Sequence, residues 1–157
     1  MANIVYLGTG HMGEAMIVRL LGAGHSVTVF NRTPEKANRV VEAGASYAST
    51  PREAVEQGAD AIFSSLADDV ASRAVWTGAD GVLSAKLPED VVAVESSTLS
   101  HDWIMELHGL AREKELRFLD CPVAGRPDFA AAGKLVVFVG GAEADLDRIR
   151  SFLEPLS

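Results

Sequence analysis

The stretch NIVYLGTGHMGEAM (residues 3–16) decides the fold and raises the first question about function. Five strand-like residues, four of them apolar or aromatic, run directly into a turn over residues 8–13 with the pattern G-x-G-x-x-G. Met12, Met16 and Leu20 then recur every fourth residue, which is the spacing of a helix with one buried face. A strand, a glycine-rich turn and a helix in this order predict the first unit of a nucleotide-binding α/β fold.

Each glycine of this turn has a physical role if the turn binds a dinucleotide. Gly8 permits the tight bend, Gly10 lets the backbone approach a pyrophosphate, and Gly13 lets the helix pack closely on the strand. The free N–H groups and the positive dipole at the helix N-terminus attract the phosphates. The alternative is a structural turn with chance glycines. The cofactor-binding residues predicted in this turn are Gly8, Thr9, Gly10, His11, Met12 and Gly13.

The residues after the second predicted strand, SVTVF (26–30), distinguish two dinucleotides. NAD-binding domains usually place Asp or Glu there to bind the ribose 2′-hydroxyl. Here Asn31 lacks the charge that would repel a 2′-phosphate, and Arg32 can pair with that phosphate and stack on adenine. The sequence therefore predicts NADP rather than NAD, with Thr33 and Lys36 as further contacts. The alternative is that Arg32 is an ordinary solvated loop residue.

Apolar runs alternate with helical patterns along the rest of the chain. Continuous apolar strands separated by helices indicate a parallel sheet covered on both faces. No repeat or linker-like segment divides the chain, so we predict one Rossmann-type, doubly wound α/β domain over residues 1–157. Further strands are predicted at residues 60–66, 91–97, 116–120 and 134–141, and helices from Thr33-Pro34 to about Ala43, from Thr50-Pro51, from Ser100 to about Glu115, and around Leu146, Ile149 and Leu153.

Composition excludes several classes of partner. A net charge of −8 gives no basic surface for nucleic acid or an anionic membrane. No segment has 18 consecutive apolar residues, and the N-terminus lacks a signal-peptide pattern. The single Cys121 excludes an internal disulfide framework, and its spacing from the four histidines predicts no metal site. We expect a cytoplasmic domain without nucleic-acid or membrane partners.

Four segments together resemble the β-hydroxyacid dehydrogenase family, which includes 3-hydroxyisobutyrate dehydrogenase and the cofactor domain of 6-phosphogluconate dehydrogenase. They are GTGHMGEAMIVRLLGAGHSVTVFNRTPEKA (8–37), SSLADD (64–69), ESSTLS (95–100) and DCPVAGRPDFAAAGKL (120–135). The resemblance implies an oxidoreductase that transfers a hydride between nicotinamide and a small hydroxyacid, aldehyde or keto acid.

By this resemblance, Leu66 and Ala67 lie against the cofactor and Thr98 reaches its nicotinamide end. The alternatives are strand-end packing for Leu66 and a hydroxyl on the N-terminal side of the next helix for Thr98.

The resemblance also implies a substrate loop, which the family usually writes P-V-S-G-G. Here Ala124 replaces the serine and cannot bind substrate through its side chain, whereas Arg126 replaces the second glycine and could clamp a carboxylate. The usual 3-hydroxyacid substrates are therefore in doubt, and a solvated loop arginine is the alternative for Arg126. The candidate substrate-binding residues are Val123, Ala124, Gly125 and Arg126.

Members of the family continue into an all-helical second domain, which contributes most of a homodimer interface and a catalytic lysine followed four residues later by Asn. No lysine of this sequence has Asn at that position; the four are Lys36, Lys86, Lys114 and Lys134. We therefore predict no catalytic residue within residues 1–157. The alternative function is a stand-alone NADP-binding module that senses or sequesters the cofactor without catalysis.

Overall fold

A six-stranded parallel sheet with helices on both faces forms the centre of the computed structural model, which describes residues 1–157. Across the sheet the strands lie in the order β3-β2-β1-β4-β5-β6. This is the doubly wound, Rossmann-type α/β fold that the sequence predicts. The strands are β1 (Asn3–Leu7), β2 (Ser26–Phe30), β3 (Ser46–Tyr47), β4 (Ala61–Ser64), β5 (Val92–Glu95) and β6 (Arg117–Asp120), and a separate pair is formed by β7 (Val123–Ala124) and β8 (Val136–Val137). The helices are α1 (His11–Gly22), α2 (Asn38–Glu42), α3 (Pro51–Glu56), α4 (Asp69–Thr77), α5 (His101–Glu113), α6 (Pro127–Ala131) and α7 (Glu143–Leu153).

The strands read as continuous apolar runs because both faces of the sheet are covered. In β1, Ile4 and Tyr6 belong to one core cluster, together with buried residues of α1, α6 and α7. Val5 and Leu7 point to the opposite face and belong to a second cluster with residues of α3, α4 and α5. Each of these four side chains is at most 1% exposed. Apolar residues are therefore needed at every position of the strand.

The topology places several strand ends side by side. The chain leaves β1 toward β2 and later returns to the other side of β1 with β4, so Tyr6 pairs with both Val29 and Phe63. A crevice at the carboxyl ends of the strands is expected at such a reversal of strand order. The turns that follow β1, β2, β4 and β5 meet at this edge.

Two of the three predicted helix starts have the predicted side-chain cap. The Thr50 hydroxyl accepts the Glu53 N–H at 3.0 Å, and the Ser100 hydroxyl accepts the Trp103 N–H at 3.2 Å. The predicted helix start at Thr33-Pro34 is confirmed in position, but the Thr33 side chain makes no capping hydrogen bond. Pro34–Ala37 instead forms a 3₁₀ turn before α2, while the Thr33 carbonyl accepts the Asn31 side-chain amide.

The predicted strand at residues 134–141 is largely wrong. Only Val136–Val137 is a strand, and it pairs antiparallel with Val123–Ala124 outside the main sheet. Further along the segment, Gly140 forms a single antiparallel bridge with Asp120, the last residue of β6. The Leu135 N–H donates to the Leu156 carbonyl, so the start of the segment bonds to the end of the chain.

One helix and two short strands near the site were not predicted from the sequence. The helix α4 was not predicted, although the Asp68 carboxylate caps it by accepting the Ala71 N–H at 2.8 Å. The short strands β3 and β7 were not predicted either. No helix combines the length and the apolar character that crossing a membrane requires.

Candidate cofactor site

The three glycines of the turn after β1 differ in what surrounds them. Gly8 has φ +102°, and a Cβ there would overlap the Ser65 carbonyl oxygen. A Cβ on Gly13 would overlap the carbonyl oxygen of Gly8. A Cβ on Gly10 would have no protein atom within 4 Å. Packing within the protein therefore accounts for Gly8 and Gly13, whereas the space at Gly10 is open to a ligand.

The helix α1 begins at this open space. Its N-cap is Gly10, so no side chain caps the N–H groups of the first turn. His11 is exposed, and Met12 is partly buried against the core. Uncapped N–H groups and the positive end of the helix dipole form an anion-binding site. We expect the diphosphate at the backbone of Gly10, His11 and Met12.

Thr9 and Asn31 hold the first turn against the segment after β2. The Thr9 N–H donates to Asn31 Oδ1 at 2.9 Å, and the Thr9 hydroxyl donates to the Lys36 carbonyl at 2.9 Å. Asn31 Nδ2 donates to the Thr33 carbonyl at 2.9 Å. Thr9 is 3% exposed, so its polar atoms are used within the protein. Thr9 and Asn31 therefore hold the backbone of the two loops together. That either residue also contacts the cofactor stays a prediction.

Two cationic side chains that have no partner within the protein lie beside the turn held by Thr9 and Asn31. Arg32 and Lys36 are exposed, and neither side chain forms an ion pair or a hydrogen bond within the protein. The Tyr47 hydroxyl lies 3.5 Å from the Asn31 carbonyl oxygen, which it approaches as a donor. No carboxylate occupies position 31. The position where NAD-binding domains usually carry a carboxylate is therefore uncharged here, with two cationic side chains near it.

The loops after β4 and β5 are joined to one another. The Leu66 N–H donates to Ser97 Oγ at 2.7 Å, and Tyr6 and Ser65 share a hydrogen bond of 2.6 Å between their hydroxyls. Leu66 is partly buried, with its Cδ2 atom 3.0 Å from the Cβ position of Gly8. The sequence-predicted residues Leu66 and Thr98 are thus brought to the same edge as the glycine turn.

Ala67 and Thr98 are exposed at this edge, and the Thr98 hydroxyl makes no hydrogen bond within the protein. A free hydroxyl and a small apolar side chain can both face a bound ligand. Their assignment to the cofactor stays a prediction.

A buried carboxylate beneath these loops was missed by the sequence reading. Glu95, the last residue of β5, has no exposed surface. Its Oε1 atom accepts the Ser97 N–H at 2.9 Å, and its Oε2 atom accepts Ser72 Oγ–H at 2.9 Å and Trp76 Nε1–H at 3.0 Å. The signal was present in the sequence, since Glu95 is the only charged residue in VVAVESS (91–97).

The loop after β6 carries the candidate substrate residues. Gly125 has φ +139°, and a Cβ there would lie 2.8 Å from Leu135 Cδ2, so a larger residue does not fit without movement. Arg126 pairs with Asp128 at 3.0 Å, with the two side chains 73% and 60% exposed. Such an exposed pair contributes about 0–1 kcal/mol, so a ligand carboxylate can compete for Arg126. Val123 is partly buried and Ala124 is exposed.

Two titratable groups begin this loop. Burial, together with the charge of Glu95, raises the pKa of Asp120. Burial and the neighbouring Asp120 raise the pKa of the Cys121 thiol to about 12. The thiol is therefore protonated at neutral pH, and Cys121 packs in the core as a small apolar residue.

Residues 3–157 match the model of a family described as the NAD binding domain of 6-phosphogluconate dehydrogenase. The chain belongs to this family. Membership in this family confirms the predicted resemblance and shows that the chain is a nicotinamide dinucleotide-binding domain. The assignment of the cofactor to the edge described above stays a prediction.

Several relatives of this NAD-binding domain are named as dehydrogenases or oxidoreductases. The chain is 37% identical over 156 residues to the NAD-dependent L-serine dehydrogenase of Pseudomonas aeruginosa, covering 99% of this chain and 52% of that protein. Its structure resembles the 3-hydroxyisobutyrate dehydrogenase of Mycobacterium tuberculosis solved with L-serine, with a TM-score of 0.93, 36% identity, and coverage of 100% of this chain and 52% of that one. It also resembles Psf3 in complex with NADP⁺ and 2-OPP, with a TM-score of 0.90, 30% identity, and coverage of 98% and 54%. The chain spans about half the length of the relatives it matches.

Proposed function

We propose that the chain is the NADP-binding half of an oxidoreductase that transfers a hydride between nicotinamide and a small hydroxyacid, aldehyde or keto acid. The observation that carries the choice of NADP is Arg32, an exposed and unpaired cation beside the uncharged Asn31. The serine dehydrogenase relative is named NAD-dependent, whereas Psf3 was solved with NADP⁺. The cofactor therefore differs among relatives, and the residues after β2 favour NADP here.

Each part of the cofactor is assigned to the loop that follows a particular strand. The backbone of residues 10–12 binds the diphosphate, and Arg32 and Lys36 bind the 2′-phosphate at the adenosine end. Leu66, together with Ala67 and Thr98, faces the nicotinamide end. When bound, NADP supplies or accepts the hydride, and the residues of this chain hold it in place.

Substrate binding is proposed at the loop of residues 123–126. Arg126 would bind the substrate carboxylate in exchange for its exposed pair with Asp128. The L-serine and 3-hydroxyisobutyrate named for the relatives are small hydroxyacids with such a carboxylate. We propose that the complete enzyme is a cytoplasmic homodimer, in which a second, helical domain supplies the catalytic lysine.

Substitution of Arg32 tests the choice of cofactor. In Arg32→Ala the dissociation constant for NADPH is expected to rise by about 10-fold or more, because a charge-assisted pair with phosphate is lost. The constant for NADH is expected to change by less than about 2-fold, because NADH has no 2′-phosphate. Titration calorimetry with both cofactors measures the two constants.

Arg39→Ala is the matched control, since Arg39 is an exposed arginine of α2 that pairs with Glu14 at 3.6 Å. It is expected to bind both cofactors as the unsubstituted chain does. Equal affinity of the unsubstituted chain for NADPH and NADH would contradict the NADP assignment.

A turnover assay tests the division between binding and catalysis. We expect residues 1–157 to bind NADPH but not to oxidise it with small aldehydes or keto acids, because no lysine lies in the loops proposed for nicotinamide (65–68 and 96–98) or for substrate (123–126). With NADP⁺, L-serine and 3-hydroxyisobutyrate are likewise expected to give no change in nicotinamide absorbance. Turnover by this chain alone would show that it holds its own general acid or base.

A further inference from the structure

Glu95 is a charged side chain in a position where burial of a charge requires strong compensation. It lies at the end of β5, on the same face of the sheet as Ala93 and the second core cluster, and it is fully buried. Its two oxygens accept three hydrogen bonds from protein donors and donate none. A carboxylate can accept all three bonds because both of its oxygens are acceptors. A side-chain amide cannot, because its NH₂ group is a donor and would face another donor.

The donors around Glu95 come from different elements. Ser72 and Trp76 belong to α4, and both bond to Oε2. Trp103 of α5 joins indirectly, because its Nε1–H donates to Ser72 Oγ at 2.9 Å. The carboxylate therefore ties β5 to the two helices that follow β4 and β5.

A third connection leads from Glu95 into the cofactor site. Oε1 accepts the N–H of Ser97, and Ser97 Oγ in turn accepts the N–H of Leu66 at 2.7 Å. Ser97 precedes Thr98, so the chain Glu95–Ser97–Leu66 fixes both loops that the proposed function places at the nicotinamide end. Ser97 is 6% exposed, which makes this a link beneath the ligand surface rather than a contact with ligand.

The adenosine end of the site is held by a separate set of hydrogen bonds. The glycine turn and the segment after β2 are joined through Thr9 and Asn31, and none of those hydrogen bonds involves Glu95, Ser97 or Leu66. The loop after β4 packs on the glycine turn at Gly8, so we expect a change at Glu95 to act mainly, though not only, on the nicotinamide end. This separation supplies a measurement that general destabilisation would not reproduce.

We propose that Glu95 is a positioning residue, which fixes the nicotinamide-facing loops of residues 65–68 and 96–98 through Ser97. The proposal rests on the proposed function, because that function places nicotinamide at these loops. Glu95 does not touch cofactor or substrate.

Glu95→Gln tests this role while keeping the shape of the side chain. The amide oxygen of the glutamine can still accept the hydrogen bonds from Ser72 and Trp76. Its NH₂ group then faces the Ser97 N–H, and because both groups are donors, the hydrogen bond to Ser97 is lost. We expect the dissociation constant for NADPH to rise about 10-fold. The compound 2′-phospho-ADP-ribose has the diphosphate and the 2′-phosphate of NADPH but no nicotinamide. We expect its dissociation constant to change by less than about 2-fold.

A second variant guards against a folding defect in Glu95→Gln. Ser97→Ala removes the acceptor for the Leu66 N–H and leaves the carboxylate and its helix partners in place. It is expected to show the same selective loss for NADPH. Combined in one chain, the two substitutions should weaken NADPH binding no more than the stronger of them alone, because they break one path.

Glu106→Gln is the matched control, because Glu106 is an exposed carboxylate of α5 that pairs with Arg73. It should bind both ligands normally. An equal loss of NADPH and 2′-phospho-ADP-ribose binding in Ser97→Ala, or no loss of either, would overturn the positioning role alone. Failure of the unsubstituted chain to bind either ligand would instead overturn the proposed function and the inference with it.

Discussion

Gly8→Ala is expected to lower the free energy of unfolding by about 3 kcal/mol or more. Gly8 has φ +102°, a conformation that an L side chain rarely adopts, and its added Cβ would overlap the backbone carbonyl of Ser65. The Gly8 N–H also donates to the Phe30 carbonyl at 2.9 Å, so the turn cannot move without losing a bond to β2. Strain and overlap therefore act together, and neither can be relieved by a side-chain rotation.

Urea denaturation of the chain with and without the substitution measures this loss. Gly109→Ala serves as the control, because Gly109 lies within the helix α5 with open space around its Cβ position. Alanine there should raise the free energy of unfolding by about 0.5–1 kcal/mol through helix propensity. A Gly8→Ala chain as stable as the unsubstituted one would show that the turn is more adaptable than its packing indicates.

The fold was predictable because its signals are local and repeated. Continuous apolar runs, the glycine turn at residues 8–13 and the side-chain caps at Thr50 and Ser100 each depend on neighbours within a few positions. The family resemblance added the order of the strand ends at the site. These local preferences and the tertiary fold agree, so the architecture follows from them.

The errors lie where contacts that the sequence pattern does not show decide the local conformation. Thr33 begins the helical segment as predicted, but its side chain makes no cap and the first turn is 3₁₀. The apolar segment at residues 134–141 has the composition of a sheet strand, but it pairs antiparallel with β7, and Leu135 bonds to Leu156 and Gly140 to Asp120. Composition specifies neither the strand partner nor the direction of pairing.

The sequence offered candidates for the ligand-facing residues but not for the residues that support them. Gly10 and Arg32 could be proposed from their positions after β1 and β2, and Thr98 from the family resemblance; all three stay predictions. Glu95 and Ser97 could not, since their roles depend on hydrogen bonds to α4 and to the loop after β4. The sequence signal for such a supporting residue is a single carboxylate in an otherwise apolar strand, as Glu95 is in β5.

The glycine turn itself divides into residues required by the fold and a residue left for the ligand. Gly8 and Gly13 are enclosed by backbone atoms, whereas nothing in the protein approaches the Cβ position of Gly10. The backbone of Gly10, with φ −67° and ψ −176°, is one that alanine adopts readily. The fold alone therefore gives no reason for glycine at this position, and a bound diphosphate does.

Gly10→Ala is accordingly expected to separate binding from stability. The cost in unfolding free energy should stay below about 1 kcal/mol, since alanine is only a poorer N-cap than glycine. The dissociation constant for NADPH should rise by about 100-fold, because the methyl group occupies the space through which phosphate oxygens reach the helix N–H groups. Binding of 2′-phospho-ADP-ribose should fall equally, in contrast to the selective effect expected at Glu95.

Gly22→Ala is the matched control for this substitution. Gly22 ends the same helix, has open space at its Cβ position and lies far along α1 from the phosphate site. Its NADPH affinity should equal that of the unsubstituted chain, which separates an effect at the helix N-terminus from an effect on α1 as a whole. If Gly10→Ala bound NADPH as tightly as Gly22→Ala, the diphosphate would not lie at this turn. The G-x-G-x-x-G pattern would then serve only the close packing of Gly8 and Gly13.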